Sequence, residues 1–190
     1  MSQGTVEHVR AARRILCFGA TGSGKSMMAL ELSRVLGLPL VLVDDLCWGP
    51  NWTQASAEVQ DEHIIGALLG DSYVIDSVYR RHNAVALDRV DVVVALDYPR
   101  LVSLARLIRR TARRIRTREL VCNGNIETLG RALGRDSIVW WHFRSWRSKR
   151  ERMRAWHADE KLPPVVLLRR PRDAEALLAA MRPFVNDAPD

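Results

Sequence analysis

Long apolar runs are missing from this sequence. None approaches the ~18 residues that a membrane-spanning helix requires, so the chain is not expected to cross a bilayer. Residues 1–19, MSQGTVEHVRAARRILCFG, lack a long apolar stretch and a small-residue cleavage site, so no secretion signal is expected. Cysteine is scarce. Cys17, Cys47 and Cys122 are odd in number and have no metal-ligand spacing. They read as reduced, mostly structural thiols, which points to a cytoplasmic protein. Lysine is nearly absent too: of 29 basic residues only Lys25, Lys149 and Lys161 are lysines. Repeats and low-complexity segments are lacking.

What is present is arginine, in a chain of net charge +7. That balance invites a nucleic-acid partner. Heavy use of Arg, Ala and Val also follows from a biased genome, and arginine suits bidentate binding of a small phosphorylated ligand. With 190 residues, 47% of them hydrophobic, the chain is expected to form a single domain over 1–190 with a real core.

Five short runs are near-continuous in apolar residues: RILCFG (14–19), LPLVLVD (38–44), SYVID (72–76), DVVVALD (91–97) and PVVLLRR (164–170). Continuous rather than alternating hydrophobicity is the mark of parallel strands buried on both faces. Helical patterns separate them, at about 24–36, 54–69, 81–89, 99–117, 125–134, 137–158 and 172–182. Gly37 and Pro39 close the first helix. Strand alternating with helix predicts right-handed crossovers and an α/β doubly wound sheet. The tail NDAPD (186–190) is expected to fray. Ligands of such sheets sit at the carboxyl ends of the strands. The residues to inspect are therefore Gly19 to Ser26, Asp44 and Asp45, Asp76, Asp97, and Arg169 and Arg170.

Residues 19–26, GATGSGKS, fit G-x-x-x-x-G-K-[ST] between a strand and a helix, the context that this phosphate-binding pattern requires. Gly19, Gly22 and Gly24 allow a sharp turn and close approach to phosphate, with Ala20, Thr21 and Ser23 between them. N–H groups from about Gly22 to Ser26 point at the anion, helped by the helix N-terminus. Lys25 would bridge the β- and γ-phosphates and Ser26 would ligate Mg²⁺. The bland alternative is a glycine turn. A molecular switch usually carries a base-reading N-K-x-D element, and none is present.

Asp76 is read as a second Mg²⁺-side group. Asp44 and Asp45 would orient an acceptor hydroxyl or assist the metal. The competing reading of each is a helix cap or turn residue. Asp97 is read as structural. Trp48 and Trp52 either line a ligand surface or wedge between sheet and helix. Residues 106–118, RLIRRTARRIRTR, carry seven arginines, with Arg106, Arg110, Arg114 and Arg118 on one helical face. They fit a lid over nucleotide phosphates, a stripe along a nucleic-acid backbone, or a solvated face. Residues 142–157 read as a surface helix packing through Trp141, Phe143, Trp146, Arg150, Met153 and Trp156, with nucleic-acid binding as the rival.

The stretches ILCFGATGSGKS (15–26), GLPLVLVDDLCWGPNW (37–52), YVIDSVY (73–79), DVVVALDYPR (91–100), RRTARRIRTREL (109–120) and NGNIETL (123–129) resemble the adenylate-kinase-like P-loop proteins known as topology modulation proteins. The resemblance covers roughly residues 13 to 182. It implies a P-loop NTPase fold like that of nucleoside monophosphate kinases. Five parallel strands would run in the order 2-3-1-4-5, with helices on both faces and a short Arg-rich lid over about 106–130. It implies ATP and Mg²⁺ binding. Gly19, Gly22, Gly24, Lys25 and Ser26 match the phosphate loop, Asp44 and Asp76 the acids after the second and third strands, and Arg106 and Arg110 the R-L-x-x-R that opens a kinase lid. One departure stands out: the family's V-I-D-G-N-Y is VIDSVY here, with Ser77 for glycine and Val78 for asparagine. The expected activity is transfer of the ATP γ-phosphoryl group to a nucleotide or small-molecule acceptor. Lys25, Asp44, Arg110 and Arg114 would be the catalytic groups, and Trp48, Arg80 and Arg81 would lie on the acceptor side. The rivals are a nucleic-acid-associated NTPase and an ATP sensor without turnover.

Overall fold

Both faces of the apolar runs find cover, so they pair as a parallel sheet rather than as exposed ribbons. In the computed structural model, which describes residues 3–134 and 137–182, the strands are β1 (Arg14–Gly19), β2 (Leu40–Val41), β3 (Tyr73–Ile75), β4 (Val92–Leu96) and β7 (Val165–Leu168). Their order is β2-β3-β1-β4-β7, all parallel. This is the order 2-3-1-4-5 expected above, with β7 as the fifth strand. β5 (Leu120–Val121) and β6 (Asn125–Ile126) form a separate antiparallel hairpin.

Successive side chains of one strand enter opposite layers. Leu16 and Phe18 of β1 join a core with α3 (Val43–Cys47), α4 (Ala57–Leu68), α5 (Asn83–Arg89) and α8 (Ile138–Ala158). Ile15 and Cys17 join the other core, with α1 (Val6–Ala11), α2 (Lys25–Leu36) and α9 (Pro171–Met181). Helices thus lie on both faces. Two further helices, α6 (Arg100–Thr117) and α7 (Leu129–Leu133), flank the hairpin. Among the described residues no helix is long and apolar enough to cross a membrane. The tail expected to fray, 186–190, lies outside the described residues.

Three local expectations are corrected. The run 38–44 is a strand only at Leu40–Val41, because α3 starts at Val43. The Val43 N–H donates to the Asp76 carboxylate at 3.0 Å, so an acid at a helix start diverts the chain from the sheet. Residues 125–134 are not one helix. Cys122, Asn123 and Gly124 have φ of 41°, 62° and 85°, which turns the chain into the hairpin, and helix resumes only at Leu129. A helix was not expected over 6–11; Thr5 caps it.

α8 is fixed across the carboxyl edge of the sheet by Asp97, just after β4. The two oxygens of Asp97 accept from Arg150 Nε at 2.8 Å and Arg154 Nε at 3.0 Å, and the carboxylate is 1% exposed. Asp97→Asn would strip the anion from two guanidiniums. We expect it to lower stability by about 3 kcal/mol, the lower end of the range for breaking a buried pair, since both arginines reach solvent. Urea denaturation checks this; an unchanged midpoint would show that water replaces the carboxylate.

Candidate functional site

The loop 20–24 leaves β1 and enters α2 through Gly24, whose φ of 96° is left-handed and suits glycine. Gly22 is required for a second reason. A Cβ there would overlap the Ser103 carbonyl and lie 2.7 Å from Leu107 Cβ, so α6 packs directly on the loop. From above, Arg106 Nη1 donates to the Ser23 carbonyl at 3.2 Å, with its guanidinium 5.4 Å from the Tyr98 ring centroid. From the side, His142 Nδ1 donates to the Thr21 carbonyl at 2.9 Å. That bond assigns the proton to Nδ1. Nε2 is then a buried acceptor with no partner. Burial first, then the Arg100 and Lys149 charges, hold this imidazole below its usual value, although the bond to Thr21 opposes them.

Ser26 and Asp76, predicted as the metal side, meet. The Ser26 hydroxyl donates to Asp76 Oδ2 at 2.6 Å, and the other oxygen takes the Val43 N–H. A hydroxyl and a buried carboxylate at one point suit Mg²⁺, which keeps several waters and takes few protein ligands. No group of three or more His, Cys, Asp or Glu residues converges as a metal cage among the described residues.

Asp44 and Asp45 sit in the first turn of α3, whose first N–H donates to Asp76. Burial, then the charges of Asp44 and Asp76, raises the Asp45 carboxyl above its usual range. The hairpin clamps the loop that follows. Asn123 Nδ2 donates to the carbonyls of Asp45 and Trp48, each at 2.7 Å. Asn125 donates to the Gly49 carbonyl at 2.9 Å and accepts from Trp52 N at 2.6 Å, while Trp52 Nε1 donates to the Ile126 carbonyl at 3.1 Å. Trp48 packs against the core and Trp52 against the hairpin, so both wedge at least as much as they line.

The arginines divide into two groups. Arg114 is taken by Glu127 at 3.1 Å and Glu119 at 3.6 Å, and Arg113 by Glu119. Arg81 is taken by Asp61 at 2.6 Å and by Gln60. Arg114, expected as a catalytic group, and Arg81, expected on the acceptor side, are thus both paired with acids of this chain. Arg118 leaves the helical face, because it caps α6 with φ 49°. Arg110 remains uncommitted: its Nε has no partner, and burial followed by Arg114 lowers its pKa. With Arg106, Arg109 and Arg113 it lines a cleft of about 320 Å³. Val78 lies in the core, so its substitution for asparagine does not face an acceptor.

The larger omission of the sequence reading is α8. Trp140, Trp141 and Phe143 are its exposed side, whereas His142, Ser145, Met153 and Trp156 turn inward. Lys149 shares their face, seven residues from both His142 and Trp156. His142 touches Thr21 and Trp156 stacks on Phe18 with centroids 4.7 Å apart, so Lys149 lies over the phosphate loop between them. Burial first, then Lys25 and Arg152, pushes Lys149 down to about 7, despite Asp44 and Asp76. The spacing 142, 145, 149, 153, 156 was the available signal.

Lys149→Met should therefore stabilise the free protein. The wild-type lysine, depressed on folding, costs most below about pH 7. The unfolded chain binds the extra proton up to about pH 10.4, so that cost fades as pH rises between the two values. We expect the variant to melt higher at pH 7, by roughly 2–4 °C per kcal/mol gained, with the gain shrinking toward pH 10. A lower melting point at pH 7 would assign Lys149 a structural role.

No family model matches this chain, and no curated protein matches it. Among solved structures, a gluconokinase from Sinorhizobium meliloti 1021 is similar over 89% of this chain and 93% of its own, at 14% identity and a TM-score of 0.49. The deoxyadenosine kinase from M. mycoides with bound dCTP is similar over 88% of this chain and 97% of its own, at 13% identity and a TM-score of 0.49.

Proposed function

We propose that this chain is a small single-domain cytoplasmic kinase that transfers the γ-phosphoryl group of ATP, with Mg²⁺, to a small-molecule or nucleotide acceptor. One observation carries the reading: the Ser26 hydroxyl meets Asp76 at 2.6 Å beneath a phosphate loop that Arg106 of α6 closes from above. The resemblance to the topology modulation proteins supports it.

The loop N–H groups and Lys25 hold the β- and γ-phosphates. Ser26, and Asp76 through water, would hold Mg²⁺, which when bound would supply charge neutralisation at those oxygens. Arg110, desolvated and without an acid of its own, stabilises charge on the transferring group. Asp44 accepts a hydrogen bond from the acceptor and orients its oxygen toward the γ-phosphorus. The bond from that phosphorus to the β-bridging oxygen breaks as the bond to the acceptor oxygen forms, and the proton of a hydroxyl acceptor passes to the Asp44 carboxylate and on to solvent, whereas an ionised phosphate acceptor has none to lose. ADP leaves. The loop of Trp48, held by Asn123 and Asn125, forms the acceptor wall.

A nucleic-acid stripe fits less well. Arg113, Arg114, Arg147, Arg150 and Arg154 all pair with acids of this chain, so these arginines do not form an uncompensated stripe.

Screening ATP consumption over nucleoside monophosphates, nucleosides and small hydroxylated metabolites should give acceptor-dependent ADP release. Lys25→Met should lower it at least ~100-fold, the scale of losing one transition-state donor, with an unchanged melting point. Normal turnover in that variant would sink the assignment, and stimulation by DNA or RNA alone would replace it.

A further inference from the structure

α8 makes one contact that neither the core nor the ion pairs account for. His142 is fully buried, yet its Nε2 has no hydrogen-bond partner among the described residues. A leucine in its place would bury no orphaned acceptor. The polar engagement of the ring is at Nδ1, which donates to the Thr21 carbonyl at 2.9 Å. Burial, reinforced by the Arg100 and Lys149 charges, keeps the ring neutral at pH 7, so its single proton is committed to Thr21.

In a planar trans peptide the C=O and N–H point in opposite directions. Fixing the Thr21 carbonyl toward α8 therefore aims the Gly22 N–H away from α8. The Ser23–Gly24 peptide repeats the arrangement: Arg106 Nη1 of α6 takes the Ser23 carbonyl at 3.2 Å, and the Gly24 N–H points away from it. Neither the Gly22 nor the Gly24 N–H has a partner among the described residues. The neighbouring carbonyls are held by backbone instead. Ala20 O accepts from the Ser23 N–H at 3.1 Å, and Gly24 O from the Met28 N–H at 2.9 Å. Glycine follows each carbonyl that a side chain holds, with φ of 81° at Gly22 and 96° at Gly24. Glycine populates both signs of φ, so a half-turn of either peptide plane is open to the backbone. Such a half-turn would present a carbonyl oxygen where an N–H should meet an anion. At the Thr21–Gly22 peptide, the hydrogen bond that opposes it comes from His142.

Resting on the kinase reading, we propose that His142 is a positioning residue: its Nδ1–H holds the Thr21–Gly22 peptide in the orientation that turns the Gly22 N–H toward the bound triphosphate. The imidazole touches neither nucleotide nor acceptor and acts through the loop backbone. Without it the loop divides between two peptide orientations, and the apparent affinity falls by the fraction that keeps the binding one. One hydrogen bond of ordinary net strength biases such a pair of states by roughly tenfold. The loss falls on nucleotide binding and not on folding, because in the folded state the ring also carries an acceptor without a partner.

The test is the affinity of the whole chain for the Mg²⁺ complex of the non-hydrolysable analogue AMP-PNP, read by isothermal titration beside the melting temperature of each variant without ligand. His142→Leu removes the donor and keeps an apolar side chain in the space. It should melt no lower than wild type and bind the analogue about tenfold more weakly. His142→Asn carries an amide nitrogen at the position of Nδ1 and should bind within about threefold of wild type. His142→Gln carries its amide one bond further out, at the position of Nε2, and should bind as weakly as His142→Leu. If His142→Leu fails to fold, the contrast between Asn and Gln decides. If wild type binds the analogue and the Leu and Gln variants bind it equally well, or Asn is as weak as Gln, the clamp is overturned while the kinase reading stands. Weaker binding matched by a lower melting temperature in all three variants also overturns it, by assigning His142 to packing. If wild type does not bind the analogue, the kinase reading falls and the clamp falls with it.

Discussion

The Asp76 carboxylate is the point on which the rest of the site depends. It is buried at the end of β3 and accepts from the Ser26 hydroxyl and the Val43 N–H. One side chain therefore joins the phosphate loop on β1, the third strand and the start of α3. The Val43 bond shortens β2 and turns the chain into helix. Asp44 and Asp45 then lie in a first helical turn beside the loop, where an extended strand would have placed alternate residues on opposite faces. The Ser26 bond sets the first turn of α2, and with it Lys25. The start of α3 and the start of α2 are positioned by the same group.

Around that junction the protein assembles more positive charge than it neutralises. Asp97 holds α8 over the sheet edge through Arg150 and Arg154, and that anchoring presses Lys149 and Arg152 inward without acids of their own. Arg110 is in the same condition on α6. Buried cations without partners destabilise a fold. A cluster of such cations around a glycine-rich loop is the pattern expected of a site for an anionic ligand. The hairpin adds a mechanical link. Asn123 and Asn125 bind backbone carbonyls of the Asp45–Gly49 segment, so the hairpin and the loop after α3 are tied together.

Much of the fold was legible because continuous apolar runs have one stable environment, a parallel sheet covered on both faces. The sheet order matches the one implied by the resemblance, and the phosphate loop was readable from its glycines. α3 was hidden because its start is fixed by a carboxylate 33 residues away, which no local pattern encodes. The hairpin was readable in principle: Asn123-Gly124 is a turn signal, and the helical pattern of its surroundings masked it. α8 was misread for a physical reason. Its inner face packs on the polar backbone of loop 20–24 as well as on the core, so it carries His142, Ser145 and Lys149, while Trp140, Trp141 and Phe143 are left outside. The rule that apolar residues face inward fails where a helix packs on a polar backbone loop. The same cause hid the commitment of Arg81 and Arg114, whose acids, Asp61, Glu119 and Glu127, sit on other segments.

The central claim is that this loop, closed by Ser26 and Asp76, binds a magnesium-complexed nucleoside triphosphate. Isothermal titration of Mg²⁺·ATP into the wild-type protein tests it most directly. The account predicts one binding event per chain, weakened when EDTA removes the magnesium. Absence of binding heat across a range of temperatures, or binding indifferent to EDTA, would contradict it.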